Sequence, residues 1–307
     1  MTTPARPLRL GTRASPLAMV QARLVRDALL AAHGWGESAI EICSMVATGD
    51  RIQDRALAEV GGKALWTKEL EAALLAGEID FAVHSMKDVE TERPPEFAIA
   101  AMLPRADVRD RLVGAPSIAA LPHGARLGTS APRRRAQMLR LRPDLEIALL
   151  RGNVQTRLAK LDRGEVDATL LASAGLERLG MSDIGTAIAS EILLPAPAQG
   201  AIGIEILAGN DAIQALLAAI NDAPTWACVM AERALLSGLA GDCRSPVAAL
   251  AKMEGGMIRL KAEIYSPDGT EIETGEAVFE AGSDAAVALG RAMRDRAHPA
   301  IREAFQP

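Results

Sequence analysis

A repeated pattern constrains the fold of this 307-residue chain more than any other feature. The tetrapeptide Arg-Leu-Gly-Thr occurs at residues 9–12 and again at 126–129, each time in an apolar run that leads through a proline into a helical segment. A second matching pair, Gly-Glu-Ile-Asp at 77–80 and Gly-Glu-Val-Asp at 164–167, precedes another apolar run. Two copies of a strand–turn–helix unit predict two related, doubly wound α/β domains.

The first copy is longer than the second, because its two motifs begin 68 residues apart and those of the second copy begin 38 apart. We assign the difference to an insertion at residues 49–66, whose glycines predict a mobile flap over a ligand site. A surface loop without a role would give the same sequence. Ligands are expected at the carboxyl ends of the strands, in the cleft between the two domains.

Beyond Asn221 the pattern changes to a helix around 225–239, strand-like runs at 256–265 and 271–280, and a last helix near 283–305. This order predicts a small α+β domain. The expected domains are three, namely α/β domain 1 with the flap (1–103 and 199–219), an arginine-rich α/β domain 2 (104–198) and α+β domain 3 (220–307).

Charge and composition exclude several classes of function. The chain has 34 Lys and Arg against 39 Asp and Glu, a net charge of −5 that does not suit a phosphate backbone, and only 3% aromatic residues for stacking on bases. No apolar run has the length of a signal peptide or a membrane span, and three cysteines do not suggest a disulfide framework. We therefore expect a cytoplasmic protein that binds neither nucleic acid nor membrane.

Arginines are concentrated where helices begin and strands end. Arg133, Arg134 and Arg135 lie in the first turn of a predicted helix, where the helix dipole is mildly unfavourable for cations. Arg13 occupies the equivalent turn of the first half, and Arg151 follows an apolar strand. Guanidinium groups at such positions favour a ligand with carboxylates or phosphates. For any single arginine, a solvated basic helix face is the alternative.

The segment His-Ser-Met-Lys-Asp at residues 84–88 also follows an apolar strand. Asp88 could therefore stabilise a developing cation and transfer a proton to a leaving amine. A helix cap or a salt bridge with Lys87 would equally explain this carboxylate. His84 and Asp88 are two candidate metal ligands, but two ligands do not make a site, so we predict no metal.

Cys243 is the cysteine with a chemical context, because Gly241 and Pro246 prevent a regular helix around it and Arg244 favours its nucleophilic thiolate. An exposed thiol without a role is the alternative. Cys43 and Cys228 lie within apolar segments and are more simply core residues. The four histidines complete no Cys-His or Ser-His-Asp arrangement.

Read in order, eight segments resemble the porphobilinogen deaminase family. The combination of VHSMKDV, RGNVQTR and a late cysteine is highly specific, and the sequence after residue 246 fits the family's small third domain. The segments are GTRASPLA (11–18), GGKALWTKEL (61–70), VHSMKDV (83–89), GTSAPRRR (128–135), RGNVQTRL (151–158), AGLERLG (174–180), PAQGAIGIE (197–205) and GDCRSP (241–246).

The resemblance implies two clamshell α/β domains like those of periplasmic binding proteins, with a small α+β C-terminal domain. It implies a deaminating transferase, hydroxymethylbilane synthase, that joins four porphobilinogen units head to tail and releases ammonia and hydroxymethylbilane in tetrapyrrole and haem biosynthesis. The growing chain would start on a dipyrromethane cofactor that is attached to Cys243 by a thioether. A cytoplasmic monomer is expected.

The resemblance also implies roles for individual residues. Asp88 would be catalytic, facing the pyrrole nitrogens and assisting proton transfer. Each porphobilinogen carries an acetate and a propionate, which would account for the arginines. The substrate-binding positions are Arg13, Ser15, Arg151, Arg157 and Arg178, and the cofactor-binding positions are Lys63, Ser85, Lys87, Thr129, Ser130, Arg133 and Arg134.

Five residues depart from the family pattern without removing a group that the chemistry needs. Ala131 replaces a common serine, and Pro132 replaces a leucine. Asp242 and Ala198 each replace a glycine, and Glu90 replaces a frequent proline. The carboxylate of Asp242 would oppose thiolate formation at the next residue.

Two other classes of protein compete with this interpretation. A solute-binding clamshell would explain the duplicated halves and the arginines, but not a third domain that presents Cys243. An acyl transferase with a cysteine nucleophile would need a histidine partner that the sequence does not identify.

Overall fold

The structure of the protein is a computed structural model that describes residues 4–46, 67–242 and 244–305. In each repeat, the apolar run after the second motif forms the central strand of a five-stranded sheet. The described chain divides into two units. The first unit contains residues 4–46, 67–106 and 200–226, and the second contains 107–199 and the described residues from 227 onward. The predicted flap, Lys63 and Cys243 lie outside the described residues.

The sheet of the first unit has five strands, whose labels follow the order of the whole chain. They are β1 (Leu8–Arg13), β2 (Ile40–Met45), β3 (Phe81–Ser85), β4 (Phe97–Met102) and β10 (Ile202–Leu207). Their order across the sheet is β2–β1–β3–β10–β4. Strand β1 is parallel to β2 and β3, whereas β10 is antiparallel to β3 and β4.

Helices cover both faces of this first sheet. Apolar side chains of α1 (Pro16–His33) and α6 (Asp211–Leu217) pack with Leu10, Phe81 and Val83 on one face. Those of α2 (Lys68–Leu75) pack with Ala82 and Phe97 on the other. Short 3₁₀ turns occupy Glu37–Ala39, Met86–Asp88 and Ala218–Ile220.

The second unit repeats this arrangement. Its strands are β5 (Asp110–Val113), β6 (Arg126–Gly128), β7 (Glu146–Ala148), β8 (Ala168–Ala172) and β9 (Thr186–Ala187), and its helices are α3 (Pro132–Leu141), α4 (Val154–Asp162) and α5 (Ser173–Arg178). The strand order is β7–β6–β8–β5–β9. Strand β6 is parallel to β7 and β8, and β5 is antiparallel to β8 and β9, so β5 takes the place that β10 has in the first sheet.

The repeated motifs fix the strand register in both units. The backbone N–H of Arg9 donates to the Asp80 carboxylate at 2.7 Å, and the N–H of Asp80 donates to the Arg9 carbonyl at 2.8 Å. Arg126 and Asp167 make the same two bonds at 2.7 and 2.9 Å. The aspartate that ends each Gly-Glu-x-Asp motif therefore aligns its own strand with the Arg-Leu-Gly-Thr strand.

The C-terminal part of the second unit is an antiparallel sheet packed against helices. Its elements are α7 (Ala223–Leu239), β11 (Val247–Glu254), β12 (Met257–Tyr265), β13 (Ile272–Phe279), α8 (Ala285–Arg296) and α9 (Pro299–Arg302), followed by a 3₁₀ turn at Glu303–Phe305. The strand order is β11–β12–β13. The sequence pattern predicts the last two strands and misses the first, whose buried alanines do not show a clear alternation.

The topology confirms the predicted fold class, two doubly wound α/β sheets and a small α+β C-terminal part. The single last helix predicted near 283–305 is instead three short elements, because the residue before Pro299 is biased away from helical backbone. Every helix in the described part of the chain is too short or too polar to cross a membrane. The three domain limits stay a prediction.

Two helices of the C-terminal part meet backbone to backbone at glycines. A Cβ atom built on Gly290 of α8 would lie 2.4 Å from the Leu235 carbonyl oxygen, and one on Gly238 of α7 would lie 2.3 Å from the Val287 carbonyl oxygen. Because the obstacles are backbone atoms, they cannot rotate away. The helices can only approach this closely with glycine at both positions.

We predict that Gly290→Ala lowers the free energy of unfolding by about 1–3 kcal/mol, since steric overlap outweighs the better helix propensity of alanine. Urea unfolding followed by circular dichroism measures the change. Gly36→Ala is the control and should change stability little, because an added Cβ atom at this residue would meet no other atom within 4 Å. A Gly290→Ala protein as stable as wild type would contradict this packing.

Candidate active site

Parallel strands bring the predicted site residues of the first unit to one edge of its sheet. Arg13 ends β1, and Ser85 ends the neighbouring β3. Ser15 is the N-cap of α1, and its Oγ accepts a hydrogen bond from the Ala18 N–H at 3.4 Å. Ser85 Oγ contacts the buried Gln21 side chain at 2.7 Å. These polar groups share the carboxyl edge at which open α/β sheets bind ligands.

Asp88 is the last residue of the 3₁₀ turn that follows β3, and it is half-buried. Within the described ranges its carboxylate makes no hydrogen bond or ion pair, with Lys87 or any other group. The helix-cap and salt-bridge interpretations of this residue are therefore not supported by the described contacts. A half-buried carboxylate at a ligand-binding edge is instead free to act on a reacting group.

A buried carboxylate joins two predicted cofactor arginines in the second unit. Asp110, at the start of β5, has no exposed surface. Its Oδ2 accepts from Arg133 Nη2 at 2.8 Å and its Oδ1 from Arg134 Nη2 at 2.7 Å. Burial by itself would raise the pKa of Asp110, but the two guanidinium groups hold that pKa well below its ordinary value.

The anion that offsets the arginines at the start of α3 is thus the chain's own Asp110, which the sequence analysis did not single out. Two cations against one carboxylate leave a net positive charge. Burial, only partly offset by Asp110, lowers the pKa of Arg133. Gln199, also missed, donates to Asp110 Oδ1 at 2.9 Å. The only sequence signal for Asp110 is a carboxylate at the start of an apolar strand.

The remaining site residues of the second unit also lie near strand ends. Thr129 and Ser130 follow β6, and Thr129 Oγ1 accepts from the Ala131 N–H at 3.1 Å. Arg151 follows the parallel β7 and is only 5% exposed. Arg157, on α4, donates from its Nε to the Gly152 carbonyl at 3.0 Å. Thr129, Ser130 and Arg151 therefore share the carboxyl edge of parallel strands.

Arg178 ends α5, the short helix after β8. Burial lowers the pKa of Arg178 to about 10, against a small opposing effect of Glu177. An arginine with this pKa stays a cation at neutral pH. Desolvation of this kind strengthens its attraction for a carboxylate that reaches it.

The residues that depart from the family pattern are accommodated locally. Glu90 forms an ion pair with Arg93 and accepts from Thr67 Oγ1 at 3.3 Å. Ala131 leaves the N-cap of α3 without a side-chain acceptor. Asp242 pairs with Arg244 at 2.5 Å, so the two charges that flank residue 243 largely offset each other.

Ala198 has a left-handed backbone with φ of 61°, a conformation that costs a non-glycine residue roughly 1–2 kcal/mol. Its N–H donates to Oε2 of the fully buried Glu232 at 2.6 Å. Glu232 Oε1 accepts from the Ala251 N–H at 2.7 Å. The buried carboxylate thus stabilises the strained backbone where the family commonly has glycine.

The described residues define an α/β protein with two related sheets, each carrying cationic and polar groups at its carboxyl edge. Residues 8–215 match the family model "Porphobilinogen deaminase, dipyromethane cofactor binding domain", and residues 226–297 match "Porphobilinogen deaminase, C-terminal domain". The chain belongs to the porphobilinogen deaminase family.

Two relatives of known name agree with this assignment. A porphobilinogen deaminase of Sphingopyxis alaskensis is 62% identical over 313 residues, covering 99% of this chain and 98% of its own length. A porphobilinogen deaminase of Paracoccus denitrificans is 49% identical over 302 residues, which cover 97% of this chain and 96% of that protein. One similar solved structure is the second substrate-binding domain of a putative amino acid ABC transporter from Streptococcus pneumoniae. Its TM-score is 0.41 and its sequence identity is 12%, and the match covers 70% of this chain and 92% of that chain.

Asp110→Asn should reduce stability at neutral pH by about 3–5 kcal/mol, because it leaves two buried guanidinium groups without their carboxylate. The folded-state pKa of Asp110 is depressed, so its contribution is present above the unfolded pKa of about 3.9 and is lost as pH falls further. The stability difference between wild type and variant should therefore shrink below about pH 4.

Urea unfolding of both proteins between pH 7 and pH 3 measures this difference. Asp162→Asn, at an exposed carboxylate on α4, is the control and should match wild type throughout. A difference between Asp110→Asn and wild type that stays constant down to pH 3 would contradict the assigned ion pairs.

Proposed function

We propose that Asp88 is the catalytic carboxylate with which this enzyme polymerises porphobilinogen. The enzyme is a deaminating transferase that joins four porphobilinogen units on a dipyrromethane cofactor and releases ammonia and hydroxymethylbilane. The observation that carries the proposal is the Asp88 carboxylate, which has no partner among the described residues and follows β3 at the edge that also holds Arg13 and Ser85.

Asp88 would act on charge that develops as the substrate amine leaves. The leaving amine is protonated, so when the bond between the aminomethyl carbon and nitrogen breaks, the nitrogen departs with the electron pair as ammonia and positive charge spreads over the pyrrole ring. A carboxylate beside the ring N–H stabilises that cation and can accept a hydrogen bond from it. The same carboxylate can exchange a proton with the leaving amine.

We propose the following positions for carboxylate and cofactor binding. Substrate acetate and propionate groups are bound by Arg13, Ser15, Arg151, Arg157 and Arg178, where burial of Arg151 and partial burial of Arg178 support strong attraction for anions. The cofactor is bound by Lys63, Ser85, Lys87, Thr129, Ser130, Arg133 and Arg134.

The residues of the second unit fit a polyanionic cofactor. Arg133 and Arg134 present two cations against the single Asp110 carboxylate, and the buried Nε of each has no hydrogen-bond partner among the described residues. When bound, dipyrromethane supplies the free pyrrole carbon to which the first substrate is joined. Cys243 is proposed as its point of attachment, through a thioether.

Further proposals concern the setting of the enzyme. We propose a cytoplasmic monomer that binds no nucleic acid, which the net charge of −5 supports. We also propose the three domain limits 1–103 with 199–219, 104–198 and 220–307.

Asp88→Ala should abolish turnover of porphobilinogen, a loss of at least about 100-fold, while the circular dichroism spectrum stays that of wild type. The fold is expected to persist because no described residue depends on this carboxylate for a hydrogen bond. Steady-state assay of hydroxymethylbilane release measures the effect. Asp162→Ala is the matched control and should keep full activity; near-normal activity of Asp88→Ala would refute the assigned role.

The intact mass of the protein under denaturing conditions tests the attachment. Wild type should exceed its sequence mass by two deaminated porphobilinogen units, and Cys243→Ser should not, because no thioether can form. Cys43→Ser should keep the excess. If wild type stays unmodified after incubation with porphobilinogen, the proposed attachment at Cys243 is refuted.

A further inference from the structure

A second buried carboxylate lies beside the segment that carries Asp88. Glu205, on β10, has no exposed surface. Its Oε2 lies 3.0 Å from His84 Nε2, and its Oε1 accepts from Arg93 at 2.9 Å from Nε and 2.6 Å from Nη2. Burial by itself would raise the pKa of Glu205, but His84 and Arg93 lower it, so the group is an ionised acceptor and His84 Nε2 is the donor.

The two partners of Glu205 are the two ends of one segment. His84 lies on β3 directly before Ser85, and Arg93 follows Asp88 by five residues. Residues 84–93, which we name the Asp88 segment, thus begin and end on the two oxygens of a single carboxylate. A loop whose ends are tied to one rigid group has fewer conformations open to it.

Arg93 ties the end of the Asp88 segment to other elements as well. Its Nη2 donates to Glu71 of α2 at 2.6 Å, its Nη1 pairs with Glu90, and its guanidinium carbon lies 5.7 Å from the centre of the Phe97 ring. The residue is half-buried, and its side chain is only 9% exposed. Three carboxylates around one planar guanidinium fix its orientation closely.

Strand β10 also holds the middle of the Asp88 segment. The Met86 N–H donates to the carbonyl of Ala201, just before β10, at 3.1 Å. The Met86 side chain lies on Gly203, where a Cβ atom would be only 2.0 Å from its Sδ. The segment therefore contacts residues 201, 203 and 205 in turn, which leaves the 3₁₀ turn with Asp88 at its end little freedom.

We propose that Glu205 is a positioning residue that, through His84 and Arg93, holds both ends of the Asp88 segment and so orients the Asp88 carboxylate toward substrate. The proposal rests on the catalytic role proposed for Asp88. Misplacing a catalytic group by about 1 Å can cost roughly 100-fold in rate. Substrate carboxylates are bound elsewhere, so affinity should be affected little.

Glu205→Gln is the first test, because the amide lacks the negative charge that Arg93 binds, and it contacts both ends of the segment only if His84 changes to the tautomer in which Nε2 accepts. We expect kcat to fall about 10- to 100-fold and KM for porphobilinogen to change less than about threefold. Glu232→Gln is the matched control, since Glu232 is equally buried and accepts two backbone N–H groups in the second unit. It should lose stability but keep kcat. Wild-type kcat in Glu205→Gln would overturn the proposal.

If Glu205→Gln does not fold, Arg93→Lys decides the question. An ammonium keeps the buried charge but lacks the planar fork that reaches Glu205, Glu71 and Glu90 together. A folded Arg93→Lys protein with lowered kcat and unchanged KM supports the proposal, and one with wild-type kcat overturns it.

A double-mutant cycle with Asp88→Glu separates positioning from a general structural role. If Glu205 acts through Asp88, adding Glu205→Gln to Asp88→Glu should cost much less in kcat than Glu205→Gln costs alone. Full additivity would overturn the positioning role while leaving the proposed function standing. Wild-type kcat in Asp88→Glu and near-normal activity in Asp88→Ala would instead refute the role of Asp88 itself.

Discussion

A fully buried carboxylate that binds two basic side chains through hydrogen bonds organises each unit. In the first unit it is Glu205 on β10, with His84 and Arg93, and in the second it is Asp110 on β5, with two arginines of α3. Strands β10 and β5 occupy the same place in their sheets, antiparallel to the central strand. Burying a carboxylate costs several kcal/mol unless its oxygens are satisfied, so the partners are fixed as firmly as the carboxylate.

The side chains held in this way belong to the segments that carry the predicted chemistry. The Asp88 segment contains Ser85 and Lys87 besides Asp88, and α3 begins with Arg133 and Arg134 shortly after Thr129 and Ser130. Each of these two short segments therefore contains both a side chain of a buried ion pair and polar groups at the ligand edge. Changing a residue of a buried ion pair should therefore also displace the polar groups at the ligand edge, because packed interiors transmit displacement.

The charge of the whole chain and the charge of the proposed site have opposite signs. The net charge is −5, yet the buried Arg151 and the half-buried Arg178 lie at or near strand and helix ends. Each added ring brings an acetate and a propionate, so local positive charge in a desolvated setting matters more than the total. Removing arginines from water costs free energy, which carboxylates of the growing chain can offset when they bind.

The sequence by itself determined the two repeated strand–turn–helix units, the α+β class of the C-terminal part and the family, because periodicity and short motifs are local properties. The tertiary structure decided which side chains bind the buried carboxylates. Glu205 and His84 are 121 residues apart, and Asp110 and Arg133 are 23 apart, so no local pattern indicates that they meet. Which strands become neighbours decides which side chains a buried carboxylate meets. Strand β10 of the first sheet follows β5–β9 and α3–α5 of the second unit in the sequence.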